Sequence, residues 1–238
     1  MKRDIIGIIG GMGPMATLNL FQKILVKTPA KCDQEHAHVI IDNNTKIPDR
    51  TAYLLHGMEN PEFEIFNSAC RLIDAGANIL IMPCNTAHYF YNAVKAKIDQ
   101  KYKNIDYKFI NMIDETAKFI QSQGCKKIFL LATEGTYKSK IYHYTCIQYG
   151  IDILIPDKNS IDIIMKAIYN YKGGIPNYYK DEMIKIIEDA AFQGVSKIVL
   201  GCTELSIIFR ELNLLDNSID PTEILAKSAL KQIKADNQ

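Results

Sequence analysis

One short pattern occurs twice in this chain at a constant offset. Gly76, the apolar run 79–82, Cys84 and Thr86 are matched 118 positions later by Gly194, the run 197–200, Cys202 and Glu204. Each run is short, aliphatic and bounded by turn residues, so it reads as a buried strand that delivers its cysteine to a strand-to-helix turn. Ligands of α/β sheets bind at such turns, outside the carboxyl ends of the strands. The repeat therefore predicts two lobes of similar design, each bringing one cysteine to a shared cleft.

The rest of the chain fits that frame. Apolar, β-branched runs predict strands at 5–9, 37–41, 78–82, 107–110, 127–132, 151–155 and 197–200. Amphipathic stretches predict helices at 14–26, 61–75, 86–101, 113–122, 138–149, 160–171, 178–192 and 221–233. Alternation of the two kinds is the α/β signature, with mostly parallel sheets. A weaker copy of the repeat at 124–133 places Thr133 after another strand. The lysine-rich stretch 95–108 is the expected divide between the lobes, without a disordered linker.

Composition narrows the function. At 238 residues and 47% hydrophobic content the chain can bury one large or two modest cores. A formal net charge of +1 gives no electrostatic motive for nucleic-acid or membrane binding, so the expected partner is a small molecule. The apolar run 5–9 is too short for a signal peptide, and no stretch approaches membrane-spanning length. Six cysteines without a Cys-x-x-Cys pair show neither zinc spacing nor a compact disulfide framework. Free thiols in a reducing, cytoplasmic setting are the expectation. Cys32, Cys70, Cys125 and Cys146 lack the repeated context and read as structural.

Gly10, Gly11, Gly13 and Pro14 follow the first strand and open a helix, a start that favours a carboxylate or phosphate. The same glycines, with Asp42 at the end of the second strand, also satisfy a dinucleotide-binding pattern. That rival leaves both cysteine strings unexplained.

Two thiols at helix starts suggest proton chemistry. A helix N-terminus lowers a thiol pKa from about 8.5 towards neutrality, and efficient proton transfer wants groups that titrate near the working pH. Removing the Cα proton of an amino acid and returning one from the opposite face requires one thiolate and one thiol. Asn85, Thr86 and Thr203, beside the thiols, are candidate donors to the developing charge. No lysine is placed for pyridoxal phosphate, so neither cofactor nor metal is expected. His88, four residues after Cys84, reads as a packing histidine more readily than as the thiol's base. His36 and His38 lack a third metal ligand, and Tyr142, Tyr144 and Tyr149 space like a helix surface and read as packing residues.

The strings Gly10 to Pro14, Asn43 to Thr51, Pro83 to His88, Leu130 to Thr133 and Gly201 to Glu204 resemble the cofactor-independent aspartate/glutamate racemases, and within that family the aspartate branch. The resemblance covers nearly the whole chain. It implies two three-layer α/β lobes related by a pseudo-twofold axis, with the active site in the interlobe cleft. The C-terminal helix would return to the first lobe, giving a first lobe of 1–104 plus 208–238 and a second of 105–207. It further implies a homodimer, and a racemase of aspartate in which Cys84 and Cys202 are the two bases. Met12, Asn85, Thr86 and Thr203 would surround the amino-acid head group, and Arg50 and Lys172 would hold the distal carboxylate. Thr133 and Glu204 complete the implied substrate-binding set. Arginine occurs only at positions 3, 50, 71 and 210, and a guanidinium in the polar turn at Arg50 suits a carboxylate. Lys172 precedes two glycines, which suits a helix C-cap or a flap over the substrate. Alternatives from the residues themselves are racemisation of glutamate or another acidic amino acid, a single-thiol isomerase or hydrolase, and a non-catalytic binder of acidic amino acids.

Overall fold

The computed structural model describes residues 4–233. They form two four-stranded sheets. The first contains β1 (Ile5–Gly10), β2 (His38–Asn43), β3 (Ile79–Ile81) and β4 (Lys108–Phe109), in the order β2-β1-β3-β4. The second contains β5 (Lys127–Ala132), β6 (Asp152–Leu154), β7 (Ile198–Gly201) and β8 (Ser218–Ile219), in the order β6-β5-β7-β8. Every pairing is parallel, and the two orders are the same. The repeat in sequence is thus a repeat in topology, with each cysteine following the third strand of its own sheet.

Helices cover both faces of both sheets. In chain order α1 (Pro14–Lys27), α2 (Arg50–His56), α3 (Glu62–Asp74) and α4 (Tyr91–Lys101) belong to the first half. They are followed by α5 (Met112–Ser122), α6 (Glu134–Ser139), α7 (Ile141–Gln148), α8 (Lys158–Lys172), α9 (Lys180–Phe192), α10 (Thr203–Glu211) and α11 (Pro221–Gln232). Parallel strands covered on two faces read as nearly continuous apolar runs because both side-chain sets are buried. In β1, Ile6 and Ile8 pack with Leu20 and Ile24 of α1 and with Leu225 and Ala229 of α11. On the opposite face Ile9 packs with Ile65, Ala69 and Leu72 of α3. In β5, Phe129 and Leu131 meet Ile164 and Ile168 of α8, while Ile128 and Leu130 meet Ile113, Ala117 and Ile120 of α5.

Several elements depart from the sequence expectation. β4 lies beyond residue 104 yet pairs with β3, and β8 lies beyond 207 yet pairs with β7. Each sheet keeps its own fourth strand, held by Lys108 N–H to Asn78 O at 2.8 Å and Ile198 N–H to Asn217 O at 3.1 Å. Sheet membership therefore changes later than the 104/105 and 207/208 divisions. Arg50 opens helix α2 instead of sitting in a turn, because Asp49 accepts from Ala52 N–H at 2.7 Å as an N-cap. The expected single helix at 138–149 is two, α6 and α7, broken where Lys140 adopts φ 54°. Residues 86–101 likewise divide into a 3-10 turn, Thr86–Phe90, and α4.

Candidate active site

In each sheet the strand order reverses beside the first strand, between β1 and β3 and between β5 and β7. The loops leaving those four strands carry most of the candidate residues, as expected for a topological switch point, while Arg50 opens α2 after β2 and Lys172 ends α8. After β1, Gly11 takes φ +89°, and a Cβ there would fall 2.3 Å from the Asn44 backbone, so only glycine fits. The Gly11 N–H is taken by Thr17 Oγ1 at 2.9 Å, so it is not held out for an anion. The loop instead faces Glu204, whose Oε1 would lie 3.4 Å from a Cβ on Gly13. Asp42 is committed to Ser68 Oγ and to Arg71, whose Nη2 donates at 2.7 Å. Both parts of the dinucleotide pattern thus have structural roles.

Cys84 follows β3 in a tight turn, with its N–H on Met82 O at 2.9 Å. Its neighbour Asn85 caps a 3-10 turn, so Cys84 does not occupy the α-helix start expected for it. His88 serves the backbone and not the thiol. Its Nε2 accepts from Met112 N–H at 3.0 Å, so Nδ1 carries the proton and donates to Cys84 O at 2.8 Å. Burial outweighs that hydrogen bond and lowers the His88 pKa to about 4, keeping the ring neutral.

The lobes meet around Asn85 and Thr86. Tyr142 of α7 donates to Asn85 Oδ1 at 2.6 Å, leaving the buried Asn85 Nδ2 without a protein partner. Thr86 Oγ1 lies 3.0 Å from Thr133 Oγ1 and 2.9 Å from Thr136 Oγ1. Thr133 is also the N-cap of α6, accepting from Thr136 N–H. Tyr142 is 1% exposed, so it packs as its sequence reading has it, and it does so across the lobes. Arg50 is buried, and its Nη1 donates to Ile47 O at 3.2 Å and Pro48 O at 2.8 Å. Its Nε has no partner. Two buried donors, Arg50 Nε and Asn85 Nδ2, are therefore unused by the protein, a pattern that favours an acceptor supplied by a ligand.

Cys202 stands at the start of α10, as expected, and is itself the N-cap residue in place of the polar residue after it, but its thiol is not acidified. Burial and the Glu204 carboxylate push its pKa well above the ordinary thiol value, against a smaller lowering by Lys172. Its Sγ donates to Glu204 Oε2 at 2.9 Å, and Thr203 Oγ1 donates to the same oxygen at 3.2 Å. Lys172, at the end of α8, brings Nζ to 4.0 Å from Glu204 Oε1. Burial opposes its charge, yet Glu204 and the two cysteines hold its pKa above the usual lysine value.

These side chains line one cavity. Met12, Arg50, Cys84, Asn85 and Thr86 come to it from segments that follow strands of the first sheet, and Thr133, Lys172, Cys202, Thr203 and Glu204 from segments that follow strands of the second. Asp49 and Thr51, which flank Arg50, also line it and were not singled out by sequence. The free volume is about 20 Å³, room for roughly one water molecule. An amino acid enters only if the lobes or their loops part. Cys32, Cys70, Cys125 and Cys146 are free thiols outside this cavity. Among the described residues no group of three or more His, Cys, Asp or Glu is disposed to hold a metal ion, and no helix is long and apolar enough to cross a membrane.

The chain is similar to known proteins in sequence and in fold. Residues 9–229 match the family described as Asp/Glu/Hydantoin racemase. The structure of the aspartate racemase from Picrophilus torridus superposes with a TM-score of 0.83 at 33% identity, covering 97% of this chain and 96% of that one. An aspartate racemase homologue from Pyrococcus horikoshii gives a TM-score of 0.74 at 24% identity over 97% and 98% of the two chains. A broad specificity amino-acid racemase from Bacillus subtilis is 24% identical over 95% of this chain and 96% of its own.

Proposed function

From the premise that this chain belongs to the Asp/Glu/Hydantoin racemase family, we propose that it interconverts L- and D-aspartate without a cofactor, using Cys84 and Cys202 as opposed acid and base. The observation that carries this reading is the position of the two cysteines. Each follows the third strand of its own sheet, and both line the same small cavity.

In this mechanism one thiolate removes the Cα proton and the other thiol returns a proton to the opposite face, which inverts the centre. Asn85 Nδ2, unpaired within the protein, donates to the substrate's α-carboxylate as negative charge develops on it. Thr86, Thr203 and Met12 surround the head group. Arg50, through its free Nε, and Lys172 grip the distal carboxylate from the two lobes. That arrangement supports an acidic substrate over a neutral one. Glutamate is the second candidate, because one methylene in a pocket changes discrimination by only about 1–3 kcal/mol.

The test is Cα hydrogen exchange and loss of optical rotation in heavy water, with each enantiomer of aspartate, glutamate and asparagine. Cys84→Ala and Cys202→Ala should each reduce aspartate racemisation by about a hundredfold or more. Normal racemisation by both variants would eliminate the two-thiol mechanism.

A further inference from the structure

The two thiols are not in equivalent surroundings. The Cys84 turn is held through its backbone, by Met82 O on its N–H and by His88 on its carbonyl, whereas the Cys202 S–H points at a carboxylate. Resting on the two-thiol reading above, we propose that Glu204 takes the proton Cys202 must shed to become a base, and that the substrate's distal carboxylate triggers this transfer by drawing Lys172 away from Glu204.

The geometry supplies each part. The Sγ to Oε2 contact is 2.9 Å, and Cys202 and Glu204 are 6% and 3% exposed, so no bulk water competes for that proton. Thr203 Oγ1 holds the accepting oxygen in place at 3.2 Å. The other oxygen faces Lys172 at 4.0 Å, the outer limit of an ion pair, and a contact that long is readily exchanged for a closer one to a bound carboxylate. While Lys172 stands beside Glu204 it favours the carboxylate form, which leaves Cys202 as a thiol. When its charge is shared with a substrate carboxylate, that preference weakens and Oε2 becomes the better proton site. Further groups that feel the charge on Cys202 are Tyr137 of α6, Tyr142 of α7 and Tyr169 of α8, all held neutral by burial. Cys84 and Arg50 face Lys172 from the first lobe.

The step balances without any other reactant. The Sγ–H bond breaks and an O–H bond forms on Glu204 Oε2, so a thiol and a carboxylate become a thiolate and a neutral acid. The thiolate then takes the Cα proton, the electron pair stays on the substrate, and Cys84 gives its thiol proton to the opposite face. Cys84 is left as thiolate, Cys202 as thiol, and Glu204 still protonated, which is the form that handles the other enantiomer. Without such an acceptor, a Cys202 thiolate would stand 2.9 Å from a second negative charge in a buried site.

Glu204→Gln and Glu204→Asp test this, alongside the parent protein and Cys202→Ser. In substrate-free Glu204→Gln the thiolate ultraviolet absorbance assigned to Cys202 should appear at lower pH than in the parent, because the neighbouring charge is gone. Racemisation should nevertheless fall by about a hundredfold, since the proton has no acceptor. Glu204→Asp should restore part of the rate. Adding succinate, a dicarboxylate of the same length that lacks the amino group and has no stereocentre to invert, should raise thiolate absorbance in the parent but not in Glu204→Gln or Cys202→Ser. Racemisation by Glu204→Gln within about twofold of the parent, or no absorbance response of the parent to succinate, would overturn the proposal. If Glu204→Gln does not fold, a parent-like pH profile and full activity in Glu204→Asp, together with no succinate response, would do the same. A parent protein that racemises no acidic amino acid would instead remove the two-thiol reading on which the proposal stands.

Discussion

Tyr142→Phe removes a single oxygen and tests how the two lobes hold the site. In the parent the Tyr142 hydroxyl donates to Asn85 Oδ1 at 2.6 Å, with Tyr142 1% and Asn85 2% exposed. Asn85 Nδ2 already lacks a protein partner. The substitution therefore strips the amide of its remaining side-chain hydrogen bond and leaves a buried acceptor unsatisfied, at a cost of about 1–3 kcal/mol. For a domain of this size each kcal/mol corresponds to roughly 2–4 °C in melting temperature, so calorimetry should find a decrease of a few degrees. The functional effect has a separate cause. With Oδ1 unheld, the amide can rotate, and its N–H group no longer points only at the cleft. About 1.4 kcal/mol of lost orientation is a tenfold change in rate, so kcat/KM for aspartate should fall by about tenfold. Because racemisation has an equilibrium constant of one, the loss must be equal from the L and the D side. A variant with unchanged melting temperature and unchanged kcat/KM would refute the view that the second lobe orients Asn85.

Other outcomes follow from the same contacts. The pKa of His88 is about 4 in the folded chain against 6.5 for an ordinary histidine, so between these values the unfolded chain binds a proton that the folded one refuses. Stability should therefore decrease as pH falls from 6.5 to 4, by about 3 kcal/mol in total. His88→Gln should flatten that slope in denaturant titrations, and an unaltered slope would contradict the assignment. Glu223 acts in a different window. Burial opposes its ionisation, but Lys227 and Lys27 outweigh burial and lower its pKa to about 2, so its contribution is present above pH 4.5 and fades as pH falls towards 2. Gly135→Ala would set a Cβ 2.9 Å from Thr51 Oγ1 and 3.0 Å from Thr51 Cα, forcing α6 and α2 apart. Overpacking of this kind destabilises by about 1–3 kcal/mol, and because α2 begins at Arg50, KM for aspartate should rise more than kcat falls. Parent-like KM and melting temperature would show that the two helices yield without moving Arg50.

Much of the fold was legible because its strands are buried on two faces. β1, β5 and β7 present short, mostly apolar runs, and the match between residues 76–86 and 194–204 marked equivalent places in two sheets. The short elements were not legible. β8 is two residues long and gains its identity from pairing with β7. The Pro48-Asp49 pair that suggested a turn is also the cap of α2. Lys140 breaks one apparent helix into two by adopting a left-handed conformation that no glycine advertises. At the site, most of the cavity's lining residues could be singled out from the sequence, but the contacts of Tyr142 and Thr136 could not, since both are products of packing between distant segments. The expected acidity of Cys202 failed for a similar reason. Glu204 is visible two residues along the chain, but only the folded backbone turns its carboxylate onto the sulfur.

The shared strand order of the two sheets carries a consequence about handedness. A rotation can superpose one lobe on the other, but no rotation superposes an amino acid on its mirror image. If both enantiomers are to use one cleft, the groups that hold the amine, the two carboxylates and the hydrogen cannot all obey the axis that relates the lobes. The departures from the repeat are then a requirement: a guanidinium on one side and an ammonium on the other, and a carboxylate, that of Glu204, set against the sulfur of Cys202. In the two-thiol mechanism proposed above the repeat would supply two opposed proton donors, and what must be broken is the sameness of everything around them.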